Sequence, residues 1–344
     1  MGAIHALHAS ELAREIEGCE LIALAEADDQ RARQVRAEIG QEVRIFSSVE
    51  ALAEARVCDA VVIVTPTDHH RIHADAMIAA GSRVLLEKPL TGTLEGDRRF
   101  AAELDQHHPE SLMLAFQRRF DEPLLYAKHL VETGVIGRVF KIYSALEDSN
   151  PAPNGYHSGG ILPDMAVHNV DEILWLSGRI PSKAMAVGSR IYSHELTTCV
   201  EDFDDASLYL WFESSLMAQI QVSRNHVSGY RVETVLFGEH GQVQIGHFEQ
   251  KPFDITVRAY GKRGRVDLLA DRSFKMREYG QPLPEFIDRF GPAYKAELVS
   301  FIRCCQQGAP FPTTHRDGVR AQEVISAGMR ALFGLDDSAS IEIS

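Results

Sequence analysis

At 344 residues, 45% of them hydrophobic and 24% charged, the chain is too long for one ordinary core and has the composition of a folded two-domain protein. A net charge of −14 disfavours nucleic acid or an anionic membrane as a partner. The five cysteines form no C-x-x-C pair and no apolar run approaches the roughly 18 to 20 residues that cross a bilayer, so a disulfide framework, a metal site and a membrane span are not expected, and a reducing cytoplasm is the simplest compartment.

Met1-Gly2-Ala3-Ile4-His5-Ala6 opens a helical stretch ending near Glu17. It looks like the end of the dinucleotide fingerprint G-x-G-x-x-G, with Gly2 as the third glycine and Ala3 beside it, where a helix N-terminus receives the pyrophosphate. The strand and glycines that ordinarily come first are not in the sequence, so neighbouring strand edges are expected to be uncovered. Two explanations stand: a start assigned at an internal methionine, or a genuinely shortened chain with weakened cofactor binding.

Leu21–Ala25 then reads as a buried strand, Gln30–Ile39 as a helix and Ala60–Val64 as a second buried strand. Arg71–Ala80 follows as a helix closed by Gly81, and Arg83–Leu86 and Ser111–Phe116 as further strands. Continuous apolar strands alternating with helices predict a Rossmann-like, doubly wound parallel sheet, here N-terminally incomplete, over residues 1–116. Glu26 ends the first of these strands, where a carboxylate accepts ribose hydroxyls and repels a 2′-phosphate. That favours NAD over NADP, which stays open; Asp28 competes for the role.

Glu87-Lys88-Pro89 follows a buried strand, at the carboxyl end where such sheets bind ligands. Lys88 there can donate to a substrate oxygen as it gains negative charge, although an isolated strand-end lysine ordinarily sits in a surface ion pair.

The second half, residues 117–344, reads as an α+β domain with a large, mostly antiparallel sheet. Its expected elements are a helix at Glu122–Thr133, a strand at Val139–Glu147, a loop at 149–155 and a helix at Leu162–Leu176. Strands follow at Ala184–Tyr192, Ala206–Phe212, Leu216–Ser223, Arg231–Phe237 and Gly241–Ile245, then helices at Phe286–Gln307 and Gly318–Phe333. After Gly159-Gly160, Pro163 suits a helix start. Asp164 and His168 then share a face, with Asp171 close behind, so that a polar stripe would line a cleft. Histidine exchanges protons near neutrality, which makes His168 the candidate base for alcohol oxidation. Asp164 would orient its ring or hold substrate, although an Asp and His so spaced are commonly surface residues.

The chain resembles the Gfo/Idh/MocA family of oxidoreductases. The resemblance rests on Met1-Gly2-Ala3-Ile4-His5, on Thr65-Pro66-Thr67 with His70, on Glu87-Lys88-Pro89-Leu90, on Arg118-Arg119-Phe120-Asp121, and on Gly159-Gly160 leading to Asp164, His168 and Asp171. It implies a catalytic set of Lys88, Asp164 and His168, with Thr65, Pro66 and His70 bordering the cofactor and Glu87 beside the nicotinamide ribose. Arg118 would approach the cleft; the plainer readings are a strand terminator for Thr65-Pro66 and a solvated charge for Arg118. Tyr156, with His157 and Asn154, would contact substrate from the loop before the helix.

Within the family the motifs are most similar to inositol dehydrogenases, implying a sugar or cyclic polyol substrate and a homodimer or homotetramer. Asn169 departs from the acidic residue usual after the histidine, which keeps aldoses and other sugar derivatives open. An NAD-assisted glycosidase and a non-catalytic ligand sensor of the same fold are the alternatives.

Overall fold

The computed structural model describes residues 1–149, 159–190, 202–213, 215–226, 229–246, 254–262, 266–276, 283–334 and 341–343. They divide into two compact units, Met1–Gln117 with Tyr294–Val319, and Arg118–Ala293 with Arg320–Ser344. The first unit runs to Gln117, and 294–319 returns to it. Hydrogen bonds explain that return. Arg83 donates to the carbonyls of Cys304 (2.6 Å) and Ala309 (2.8 Å) and lies over the Phe311 ring, and Thr313 Oγ1 donates to the Leu114 carbonyl at 2.7 Å.

In the first unit, helix α1 (Gly2–Glu15) precedes strands β1 (Ala23–Ala25), β2 (Arg44–Phe46), β3 (Ala60–Ile63), β4 (Arg83–Glu87) and β5 (Leu112–Ala115). All pair in parallel, as β1-β2 and as β3-β4-β5. Among the described residues no strand pairs with the remaining edges of β1 and β3. The centre of the three-stranded sheet is fully buried, with Val84, Leu85 and Leu86 at 0% exposure, as expected of a parallel strand covered on both faces.

The intervening helices begin where the sequence supplies acceptors. Asp28 caps α2 (Asp29–Ile39), accepting from the Gln30 and Arg31 amides at 2.9 and 3.0 Å. Ser48 caps α3 (Val49–Ala55) and Thr93 caps α5 (Leu94–His107). Between these, α4 (Thr67–Ala79) starts directly after Pro66, four residues earlier than the apolar pattern predicts.

The second unit holds α6 (Glu122–Glu132), β6 (Val139–Glu147), a π-helical turn at Leu162–Ala166 running into α7 (Val167–Ser177), and strands β7 (Lys183–Ser189), β8 (Asp205–Trp211) and β9 (Met217–Ser223). Strands β10 (Arg231–Gly238), β11 (Gly241–Ile245), β12 (Asp254–Lys262), β13 (Val266–Lys275) and β14 (Ile341–Glu342) complete its sheet. The nine strands run in the order β13-β12-β11-β10-β6-β9-β8-β7-β14, and only β6-β9 is parallel. Alternate residues of β8 and β9, such as Leu208, Leu210, Ala218 and Ile220, are fully buried, whereas Tyr209, Trp211, Gln219 and Gln221 on the other face are half-buried. Helix α8 (Glu285–Gln307) begins in the second unit and ends in the first, and α9 (His315–Leu332) runs the opposite way.

Candidate active site

Most of the predicted cofactor residues gather at the carboxyl ends of the first unit's strands. Thr65 and Pro66 follow β3, Glu87 ends β4 and Lys88 follows it, and Glu26 follows β1. Gly2 and Ala3 occupy the first turn of α1. The Met1 amine at the head of that helix lies within electrostatic reach of Glu87 and Arg31, and burial lowers its pKa. The helix N-terminus thus lies at the ligand-binding end of the strands.

His70 is buried and braces this edge. Its Nδ1 lies 2.7 Å from the Pro89 carbonyl and its Nε2 2.8 Å from the Thr65 carbonyl, tying the turn after β3 to the residue following Lys88. Both ring nitrogens are therefore engaged by backbone, while Thr65 Oγ1 is 3.0 Å from His73 Nδ1. Glu26 Oε1 accepts from the Asp28 amide at 3.1 Å, with Arg31 3.9 Å from Oε2, and its side chain is 37% exposed. Asp28, the competitor for the ribose role, has Oδ1 occupied by its capping bonds, which favours Glu26.

Glu87 carries a contact that the sequence did not reveal. His5, one turn into α1 and 3% exposed, places Nε2 3.0 Å from Glu87 Oε1. Burial disfavours the Glu87 charge, but the His5 hydrogen bond and the positive charges of His5 and Lys88 prevail and hold its carboxyl below the usual carboxylate range.

This donor set suits NAD. The unbonded amides of a helix's first turn attract a pyrophosphate, and Glu26 would accept adenosine ribose hydroxyls while opposing a 2′-phosphate. A separate cavity of about 800 Å³, lined by Arg14, Cys19, Leu21, Gln41 and Arg44 among others, opens at the amino ends of β1 and β2, away from all of these residues. Burial pushes the Cys19, Cys58 and Cys305 thiols up, away from the reactive thiolate form. Among the described residues no group of His, Cys, Asp or Glu could hold a metal.

In the second unit, Gly159 and Gly160 make the turn into the π-helical segment. Gly160 has φ +112°, and a Cβ there would fall 2.9 Å from Asp202 Oδ1, the atom that accepts the Ile161 amide at 3.0 Å. This is the physical requirement behind the Gly-Gly motif: a left-handed backbone lying close against the capping carboxylate. Asp164 lies on the π-helical turn rather than on a continuous α-helix. Its Oδ2 accepts from Arg224 Nη2 at 3.1 Å, just beyond β9. His168, the second residue of α7, is half-buried.

Two expectations give way here. The polar stripe ends before Asp171, which is 1% exposed and held by Arg119 through Nε (3.0 Å) and Nη2 (2.6 Å). Arg118 is likewise 2% exposed and is not a solvated charge: Nη1 donates to Glu172 Oε2 at 2.8 Å, and the guanidinium lies over Phe290. Asn169 is also interior, donating to Ser144 Oγ at 2.7 Å, so its departure from the family pattern falls in a packed polar network. Tyr156, His157 and Asn154 lie outside the described residues.

Residues 1–114 match the family described as oxidoreductases with an NAD-binding Rossmann fold, GFO/IDH/MocA, and residues 124–244 match its C-terminal domain. The chain belongs to the Gfo/Idh/MocA family of NAD-binding oxidoreductases. Among curated relatives, scyllo-inositol 2-dehydrogenase (NAD(+)) of Bacillus subtilis is 29% identical, over 94% of this chain and 90% of its own length. An inositol 2-dehydrogenase of Rhizobium meliloti is 28% identical, over 96% and 94%. A putative myo-inositol dehydrogenase from Sinorhizobium meliloti has a crystal structure similar to this Gfo/Idh/MocA chain at TM-score 0.81 and 26% identity, covering 100% of this chain and 96% of that one.

Proposed function

We propose that this Gfo/Idh/MocA chain is an NAD-dependent dehydrogenase that oxidises a ring hydroxyl of an inositol-class cyclic polyol. The observation that carries this reading is the likeness, along nearly the whole chain, to proteins named inositol 2-dehydrogenases. Bound NAD supplies the hydride acceptor. Glu26 and Glu87 are assigned to ribose hydroxyls, and the first turn of α1 at Gly2 and Ala3 to the pyrophosphate.

The reacting carbon loses a hydride and its hydroxyl a proton. His168 is assigned as the base that accepts that proton, and Lys88 as the donor that steadies the oxygen while it carries excess negative charge. Asp164, its carboxylate oriented by Arg224, is assigned to a substrate hydroxyl. The half-buried face of the nine-stranded sheet is assigned to contact between copies of the chain.

The test is steady-state turnover of myo- and scyllo-inositol with NAD. His168→Asn is expected to lower kcat about 10³-fold, the scale of a lost general base, with unfolding temperature nearly unchanged. Turnover undiminished by that substitution would remove His168 as the base.

A further inference from the structure

We infer that His5 is a positioning residue for cofactor binding, acting through Glu87. The inference rests on the assignment of Glu87 to the nicotinamide-side ribose. A strand-end carboxylate has rotational freedom that a tight hydroxyl acceptor must lose, and a second group fixing one oxygen removes that freedom before the ligand arrives.

His5 has the geometry for this task. It approaches from α1, the same helix whose N-terminus is assigned to the pyrophosphate, and its Nε2 donates to Glu87 Oε1 at 3.0 Å. Its ring is held in turn by Tyr294 of α8, edge-on at 82° with centroids 5.7 Å apart. His5 and Tyr294 are 3% and 5% exposed, so water competes little for the bond.

Glu87 retains 12% side-chain exposure, and among the described residues no hydrogen bond is made to its Oε2. One oxygen is therefore fixed by protein while the other is left for an incoming hydroxyl. Three elements distant in sequence are linked in this way: Tyr294 of α8 packs on His5 of α1, and His5 bonds the carboxylate at the end of β4. The contact couples the helix facing the pyrophosphate to the residue facing the ribose.

The test is a double-mutant cycle read by calorimetric NAD binding, with thermal unfolding of each cofactor-free variant alongside. His5→Ala is expected to weaken NAD binding about tenfold, the scale of a lost hydrogen bond to a charged group, and to have little effect in a Glu87→Gln background. His5→Gln, which keeps a side-chain N–H donor, should recover most of the affinity. Equal weakening in both backgrounds, or a fall in unfolding temperature with no change in NAD binding, would overturn positioning through Glu87. If Glu87→Gln weakens binding and His5→Ala does not, the inference about His5 fails alone. Should Glu87→Gln leave NAD binding unchanged, the ribose assignment fails and this inference with it.

Discussion

Asp97 is buried in the first turn of α5, where Thr91 donates both its amide (2.7 Å) and its hydroxyl (2.6 Å) to Oδ1, while Oδ2 is buried with no hydrogen-bond partner. Burial outweighs the Thr91 bonds and raises its pKa from 3.8 to about 6. The folded state therefore holds this proton more tightly than the unfolded chain. Stability should fall as pH rises through that window, by roughly 3 kcal/mol, and level off above it. Asp97→Asn, which is neutral throughout, should flatten that segment of a urea-unfolding series; an unchanged slope would assign it to other groups. Arg118 is buried with its guanidinium paired to Glu172 and lying over the Phe290 ring. Its identity could be read from the motif beside Arg119-Phe120-Asp121. Its burial could not, because the partner lies 54 residues downstream.

At the scale of elements, the half-buried sheet face of the second unit carries Tyr209, Trp211 and Gln219, an aromatic and amide surface suited to a partner sheet. Light scattering should return a dimer or tetramer mass, and Trp211→Glu should shift it toward one chain; a monomer before substitution would contradict that assignment. The strands β6 and β11 occupy the ranges read from sequence: β6 stops just before the turn-rich run that starts at Ser149, and β11 starts at Gly241. By contrast, β2 is three residues long, too short for a periodic signal, and β13 carries Asp267, Asp271, Arg272, Ser273 and Lys275, so half of its ten residues are polar or charged. Helix α5, absent from the expected elements, carries its own signal in the Thr93 cap and the spacing of Phe100, Ala101 and Leu104. The π-helical turn under Asp164 has no periodic signature of its own, so a continuous helix was the natural expectation. The candidate site was similarly legible in part: motifs named Lys88, Asp164 and His168, whereas His5, Arg224 and Asp202 act through long-range contacts that local spacing cannot show.

Across the whole molecule, Glu26, Glu87 and Lys88 belong to the first unit and Asp164 and His168 to the second. Among the described residues no helix is long and apolar enough to cross a membrane. An uncharged polyol gains nothing from the net charge of −14, so its recognition must come from local hydrogen bonds. The most direct test of the proposed function mixes the chain with NAD and either myo- or scyllo-inositol and follows NADH together with the ketone product. NADH and ketone should appear in equal amounts, faster with NAD than with NADP. If neither forms with inositols while the chain is folded and binds NAD, the proposed dehydrogenase activity on this substrate class is contradicted.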